Sequence, residues 1–351
     1  MDLNAITSVL SHQADGDVLP EHPYRRLNLD ADGVVYQVCH PDKSLESNLK
    51  ELYRYIENLR VICGAQWVIN HTTLALKGGR EQMAYYKAYQ KGRNKQMTEA
   101  MRNRVNELRA ALVTYQTDRV FPCPQFYQEA DDSLTTAHLD YCNQMGDGTA
   151  SVIGTGDKDL NMTYGIIINL KTKKFTMHGD YVYNDELKEG HWYNTYGNVA
   201  YENKKLVGRG HAFFWGQMLA GDTVDNIAGL PELNGHLVDR YKPLKRKTRA
   251  PRPNSSCGAS TAVMVLSHCG SDRAAYRCVA EAYRGFFGND WKFFFFEMAF
   301  LLWMRRTHHV LDVMTFLAEV GFEYELHPHQ QAALVKYGQA CQELTWNSTS
   351  K

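Results

Sequence analysis

The chain of 351 residues has no CxxC pair, although it carries eight cysteines. Cys39, Cys63, Cys123, Cys142, Cys257, Cys269, Cys278 and Cys341 are scattered, which fits free thiols in a reducing compartment and not a disulfide framework. Cys257, Cys269 and Cys278, with His268 nearby, match no standard zinc spacing and read as ordinary core and surface residues. No charged-then-apolar leader opens the chain. Long hydrophobic runs are missing too. The longest apolar stretch, residues 293–304, is interrupted by Glu297 and is too short to span a bilayer, so it reads as a buried helix and no membrane partner is expected. Internal repeats are absent. Finally, there is no excess of charge: 39 basic residues face 39 acidic ones, for a formal net charge of zero. Taken alone, that balance argues against a chain that grips phosphates.

What is present reverses that inference, because the charges are segregated. Lys and Arg dominate residues 77–109, and residues 240–252 are basic without a single acid. Basic patches beside separate acidic knots let a neutral chain hold DNA locally. Apolar spacing supplies the rest of the outline. Residues 26–37 read as a strand, 44–63 as a helix, 65–69 as a strand and 82–115 as one long helix. Residues 120–126 read as a short strand, 130–145 as a helix and 151–154 as a buried strand. Residues 165–169 and 174–178 form a hairpin pattern, and 211–220 a helix. Strands alternating with helices predict an α/β fold with a mainly parallel central sheet flanked by helices, turning helical after about residue 211.

Four acidic motifs stand out. Asp30 and Asp32 sit at the end of the first strand pattern, two apart and so on one strand face. Glu129, Asp131 and Asp132 open a helix, where acids also complement the helix dipole. Asp157 and Asp159 follow an apolar strand directly. Asp222 and Asp225, three apart, share a face if their segment is helical. A parallel sheet collects ligands at the carboxyl ends of its strands. So many carboxylates gathered there repel one another unless a counter-charge is supplied. Hard oxygen ligands of this kind suit Mg²⁺ or Mn²⁺, two or more ions, rather than zinc. Two such ions roughly 4 Å apart can clamp a phosphodiester under attack.

At these residues the chain resembles the 5′→3′ exonuclease and flap endonuclease family, which includes the N-terminal domain of bacterial DNA polymerase I and free-standing phage exonucleases. The resemblance spans about residues 26–235 and is carried by EADD, TGDKDL and GDTVDNIAGLP, in that order. It implies a PIN/5′-nuclease-like fold. Residues 1–24 would be a variable lead-in, and 25–210 a catalytic domain with a helical arch near 77–115. Residues 211–271 would be a helix–three-turn–helix-like DNA-binding region with a basic insertion at 236–256, and 272–351 a C-terminal helical region. It implies Asp30, Glu129, Asp131, Asp132, Asp157, Asp159, Asp222 and Asp225 as metal ligands; Asp32 either orients a ligand or faces the core. Arg80, Lys87, Lys91 and Arg93 would stabilise phosphate charge. Gln90 stands where the family has a lysine, so Lys87 or Lys91 takes that role. Asn70 stands where the second strand of the family often ends in aspartate. Tyr89, Gly229, Lys245, Arg246, Lys247 and Arg249 would contact DNA, with K⁺ at the helix–three-turn–helix; the insertion either adds phosphate contacts or is a plain loop. The implied activity is hydrolysis of DNA at 5′ ends, nicks or flaps, or of RNA–DNA hybrid, to 5′-phosphate products, in the cytoplasm (of the host, if the chain is phage-encoded). The alternative is a nuclease fold that binds branched or nicked DNA without cutting.

Overall fold

The computed structural model describes residues 18–91, 97–231 and 257–349. The chain divides into two compact units. One comprises Met1–Leu76, Asn94–Thr195 and Met304–His308; the other comprises Lys77–Arg93, Tyr196–Trp303 and His309–Lys351. Among the described residues no helix is long and apolar enough to cross a membrane, and the eight cysteines are free.

The first unit is the expected α/β layer structure. Its strands are β1 (Arg26–Asp30), β2 (Trp67–Thr73), β3 (Val120–Gln125), β4 (Ser151–Thr155), β5 (Gly165–Asn169) and β6 (Phe175–His178). They form one sheet in the order β3-β2-β1-β4-β5-β6, parallel except for β6. The chain steps outward from β1 to β2 to β3, then returns to place β4 on the other flank of β1. That reversal leaves a crevice beyond the carboxyl ends of β1 and β4, where sheets of this type bind ligands.

Helices α1 (Ala31–Val38), α2 (Leu45–Ile62) and, after the intervening four-residue α3 (Arg80–Met83), α4 (Glu99–Thr114) supply one covering layer. Leu52, Ile56 and Leu59 of α2 and Val105, Leu108 and Leu112 of α4 join Leu27, Leu29, Val68, Val152, Ile166 and Ile168 of the sheet in one core. Helix α5 (Ala130–Met145) packs against β1, β2, β3 and β4. Its side of the sheet holds a polar seam. Asn28 Nδ2 donates to Ser151 Oγ at 2.8 Å, and the His71 ring bridges Asn28 Oδ1 at 3.1 Å and Ser133 Oγ at 2.9 Å. Burial lowers the His71 pKa to about 3, so the ring is neutral and its two nitrogens divide into one donor and one acceptor. A hairpin of β7 (Asp180–Asn184) and β8 (Glu189–Tyr193), not foreseen in the sequence, completes the unit.

The second unit carries the hairpin β9 (Asn198–Glu202) and β10 (Lys205–Arg209), then helices α6 (Gly210–Ala220), α7 (Ala259–Leu266), α8 (Asp272–Phe287), α9 (Trp291–Leu302), α10 (Asp312–Glu319) and α11 (Pro328–Thr349). Helix α6 is buried along nearly its whole length because its neighbours cover every side: α7, α8 and α9 pack on it along with the hairpin. Aromatic rings fill the space, Phe214 and Trp215 meeting Trp303, Phe316 and Phe295.

Three expectations are corrected. The strand pattern at 26–37 ends at Asp30, and α1 begins at the next residue. The reason is local: the Asp30 carboxylate accepts the Gly33 N–H at 2.8 Å as a helix cap, and Val34, Val35 and Val38 then fall on one buried face. The single long helix at 82–115 is instead α3 and α4, with non-helical backbone at 84–91 and 97–98. The Asp222–Asp225 segment is a closed turn, not a helix: Asp222 and Ile227 exchange backbone hydrogen bonds at 2.9 and 2.7 Å, and Asn226 has φ +59°.

Leu29 is fully buried in the core beside the crevice. Leu29→Ala is expected to lower stability by roughly 2–5 kcal/mol, the range for a buried leucine, read as a shift in the urea unfolding midpoint with unchanged m-value.

Candidate metal centre

The last residue of β1, the first turn of α5 and the turn after β4 meet at the crevice. Each brings a carboxylate. Asp30 is almost fully buried; one carboxylate oxygen takes the Gly33 N–H and the other accepts the Thr155 hydroxyl at 3.2 Å. Thr155 ends β4, so the hydroxyl ties the two central strands together at their carboxyl ends. Its Oγ1 also accepts the Asp157 N–H at 2.9 Å, and Asp157 Oδ1 in turn accepts the Asp159 N–H at 2.9 Å. These bonds fold the TGDKD turn so that Asp157 lies within electrostatic reach of Asp30 and Asp131.

The electrostatics record the crowding. Burial first, then the Asp32 and Asp157 charges, push the Asp30 pKa up to about 7, against the pull of its hydrogen bonds. Asp131 is raised well above the ordinary carboxylate value by burial, and then by Asp30, Asp157, Glu129 and Asp132. Its side chain is reached by solvent yet ringed by protein, so desolvation acts on it more than its partial exposure implies. The charges that raise both groups are other carboxylates. This is a site short of positive charge.

Not every acid of the four motifs serves the cluster. Asp32, in the first turn of α1, no longer shares a strand face with Asp30. It pairs with Arg109 Nε at 2.8 Å and accepts the Thr73 N–H at 3.0 Å, so it fastens α1 to α4 and β2. Asp132 is fully buried and turned to Arg305, accepting its N–H at 3.1 Å with the guanidinium at 3.8 Å. That departs from the expectation of a metal ligand, and the cause is helical geometry: Asp131 and Asp132 are neighbours on α5 and face different directions. Glu129 sits at the start of α5, buried, and Asp159 lies beside Lys158 Nζ at 3.5 Å. Asn70 is completely buried on β2, paired in register with Leu29, and neither end of its amide finds a hydrogen-bond partner.

In the second unit, Asp222 is buried and accepts the Val224 N–H at 2.8 Å, while Asp225 Oδ2 takes the Tyr89 hydroxyl at 3.3 Å. Gly229, at φ +61°, closes this turn against Gly221; a Cβ there would stand 2.2 Å from the Gly221 nitrogen. Its role is therefore close backbone packing. Arg80 departs from the expectation of a phosphate-facing cation: it is 1% exposed and donates to the carbonyls of Leu301 at 3.2 Å and Trp303 at 2.7 Å. Lys87 and Lys91 are exposed. Arg93, Lys245, Arg246, Lys247 and Arg249 lie outside the described residues, as does most of the expected K⁺-binding element.

The donor set fits a hard divalent cation, since it offers carboxylate oxygens lacking a counter-charge. Asp30, Glu129, Asp131, Asp157 and Asp159 would hold it in the first unit. Among the described residues no three His, Cys, Asp or Glu side chains already converge as a closed cage. The neighbouring carboxylates raise Asp30 and Asp131, so a cation there would relieve their repulsion. Sequence reasoning missed Thr155 and Arg305. The hydroxyl at the end of the β4 pattern was a usable signal; nothing in the sequence linked Arg305 to Asp132.

No protein-family model matches the chain, and neither does any curated protein. Among solved structures it is similar to the bacteriophage T5 flap endonuclease in a pseudo-enzyme–product complex with DNA and metal ions, at 12% identity and TM-score 0.42, covering 79% of this chain and 99% of that one. It is similar also to T5 5′-exonuclease with bound divalent metal ions (zinc), at 14% identity and TM-score 0.44, covering 84% and 99%. A T5 protein co-crystallised with metal ions matches at 12% identity and TM-score 0.42, covering 85% and 100%.

Asp30 sets a pH dependence in metal-free protein. Its ordinary value is 3.8 and its folded value about 7. Between them the folded state keeps a proton that the unfolded state has released, so stability falls as pH rises through this window and the full penalty stands above it. Asp30→Asn is therefore expected to raise Tm relative to wild type at pH 8, with the gap closing by about pH 4, as read by thermal scans in EDTA.

Proposed function

We propose that this chain is a divalent-metal-dependent nuclease that hydrolyses DNA phosphodiester bonds from or near a 5′ end and leaves 5′-phosphate products. The observation that carries this reading is that Asp30 and Asp131, from β1 and α5, lie within electrostatic reach of Asp157 after β4 at the carboxyl edge of a parallel sheet, and that burial and neighbouring carboxylates raise the proton affinity of Asp30 and Asp131. When bound, Mg²⁺ or Mn²⁺ would supply the missing positive charge and activate water toward phosphorus.

The chain's own residues do the rest. Asp30, Glu129, Asp131, Asp157 and Asp159 hold the ions, and Thr155 orients Asp30 and Asp157. Asp222 and Asp225 carry the corresponding acids of the second unit. Lys87 and Lys91 meet the negative charge of the phosphate. Arg80 anchors the segment that bears them. The substrates would be DNA with 5′ ends, nicks or flaps, or RNA–DNA hybrid. A second reading, a nuclease fold that binds such DNA without cutting, draws on the lack of a closed ligand cage among the described residues and on the neutral Asn70.

Cleavage of 5′-labelled duplex, nicked and flapped DNA under Mg²⁺ and Mn²⁺ titration decides between them. Asp131→Ala and Asp157→Ala are each expected to lower kcat by more than about 100-fold, beyond the loss typical of outer-sphere partners. Asp132→Asn is expected to keep cleavage within about threefold while lowering Tm, because its carboxylate answers Arg305 and breaking a buried pair is costly. Wild-type binding without cutting in either metal would replace the nuclease by the binding protein.

A further inference from the structure

Helix α9 is the apolar run WKFFFFEMAFLL, and in its middle lies Glu297, fully buried. A carboxylate in such a helix is costly unless something specific holds it. The holders are two consecutive backbone amides from a segment more than two hundred residues earlier. Tyr85 N–H and Tyr86 N–H each donate to Glu297 Oε1, both at 2.7 Å. The other oxygen, Oε2, is buried with no hydrogen-bond partner. The acid is thus directed at one purpose.

That purpose is legible from where the two amides sit. Helix α3 ends at Ala84, whose extended backbone (φ −66°, ψ 98°) turns the next two N–H groups away from any helical acceptor. Glu297 takes both. The tyrosine rings then settle on the preceding turn of the same helix: Tyr85 meets Phe293 at 5.3 Å, and Tyr86 meets Phe294 at 5.6 Å. Arg80 fastens the start of the segment to the last carbonyls of α9 and beyond. The far end is fastened to the GDTVDN turn. Gln90 N–H donates to the Asp225 carbonyl at 2.8 Å, and Asn226 Nδ2 donates to the Ala88 carbonyl at 2.8 Å. Exposed Lys87 lies between the Glu297 fastening and the Asp225–Asn226 fastening.

We infer that Glu297 is a positioning residue: by holding the Tyr85 and Tyr86 amides it fixes the backbone that presents Lys87 to a phosphate of the substrate. The role of Lys87 rests on the nuclease reading above; the fastening of the two amides does not. Glutamine keeps an acceptor oxygen at this position, whereas leucine fills a similar apolar volume without one and leaves the two amides without their acceptor.

The test pairs amide exchange with kinetics. In Glu297→Leu, exchange at Tyr85 and Tyr86 is expected to quicken at least tenfold. Its kcat on 5′-labelled duplex is expected to fall about 10- to 100-fold, the scale of a small misplacement of a reacting group, with KM moving less than about threefold. Glu297→Gln is expected to restore both readings to within about threefold of wild type. Lys87→Ala in the leucine background should add little further loss, since both changes remove one interaction. Unchanged exchange in Glu297→Leu overturns the fastening. Quickened exchange with wild-type kcat, or losses that multiply with Lys87→Ala, overturns the positioning role. A wild-type protein that cuts no DNA overturns the nuclease reading instead, and the exchange rates still judge the fastening.

Discussion

Repulsion among carboxylates at the carboxyl edge of the sheet is the constraint around which the first unit is organised. Asp30, Asp131 and Asp157 come from three separate stretches of chain, and the fold brings them within electrostatic reach of one another. A sheet built for stability alone has no use for that arrangement, since burial and neighbouring charge act against ionising Asp30 and Asp131. The surrounding hydrogen bonds act against the cost. Thr155 and the Gly33 amide support Asp30, and the Thr155 hydroxyl and Asp159 amide shape the Asp157 turn. A divalent cation is the natural counterweight, and its binding would release protons held by the raised groups.

Other charged residues near the cluster are committed to architecture. Asp32 fastens α1 to Arg109 and β2, and Asp132 is matched to Arg305. The seam of Asn28, His71, Ser133 and Ser151 satisfies polar groups where α5 covers the sheet, with a neutral histidine. Such a seam accepts few alternative registers, because sliding one strand would strand several buried polar groups at once. The acids at the strand ends inherit that fixity.

Much of this was legible in the sequence, and the failures have physical causes. Apolar runs between turn residues located β2, β4, β5 and β6, and helical spacing located α2, α5 and α6. The pattern at residues 26–37 overran because Val34 and Val35 favour strands by composition, while the cap at Asp30 is a local hydrogen bond that composition does not record. The two hairpins between Asp180 and Arg209 went unread because their strands are half exposed and carry only a weak alternation. The long basic helix pattern gives way at Ala84, and the next two amides go to Glu297, a partner remote in sequence that no local pattern reveals. The acidic motifs marked carboxylates at the strand ends, but not that Asp32 would pair with Arg109 and Asp132 with Arg305. Those partners are set by tertiary packing.

β1 passes into α1 with no connecting residue, so Asp30 is at once the last rung of a strand and the cap of a helix. Its carboxylate cannot swing far without loosening the helix's opening turn, and a side chain on Gly33 would collide with it at 2.4 Å. Any ligand that draws on Asp30 therefore also tugs on α1. Occupancy of the crevice would be felt along that helix as a change in how firmly its beginning is wound, which gives the fold a built-in mechanical link between its charged rim and its apolar interior.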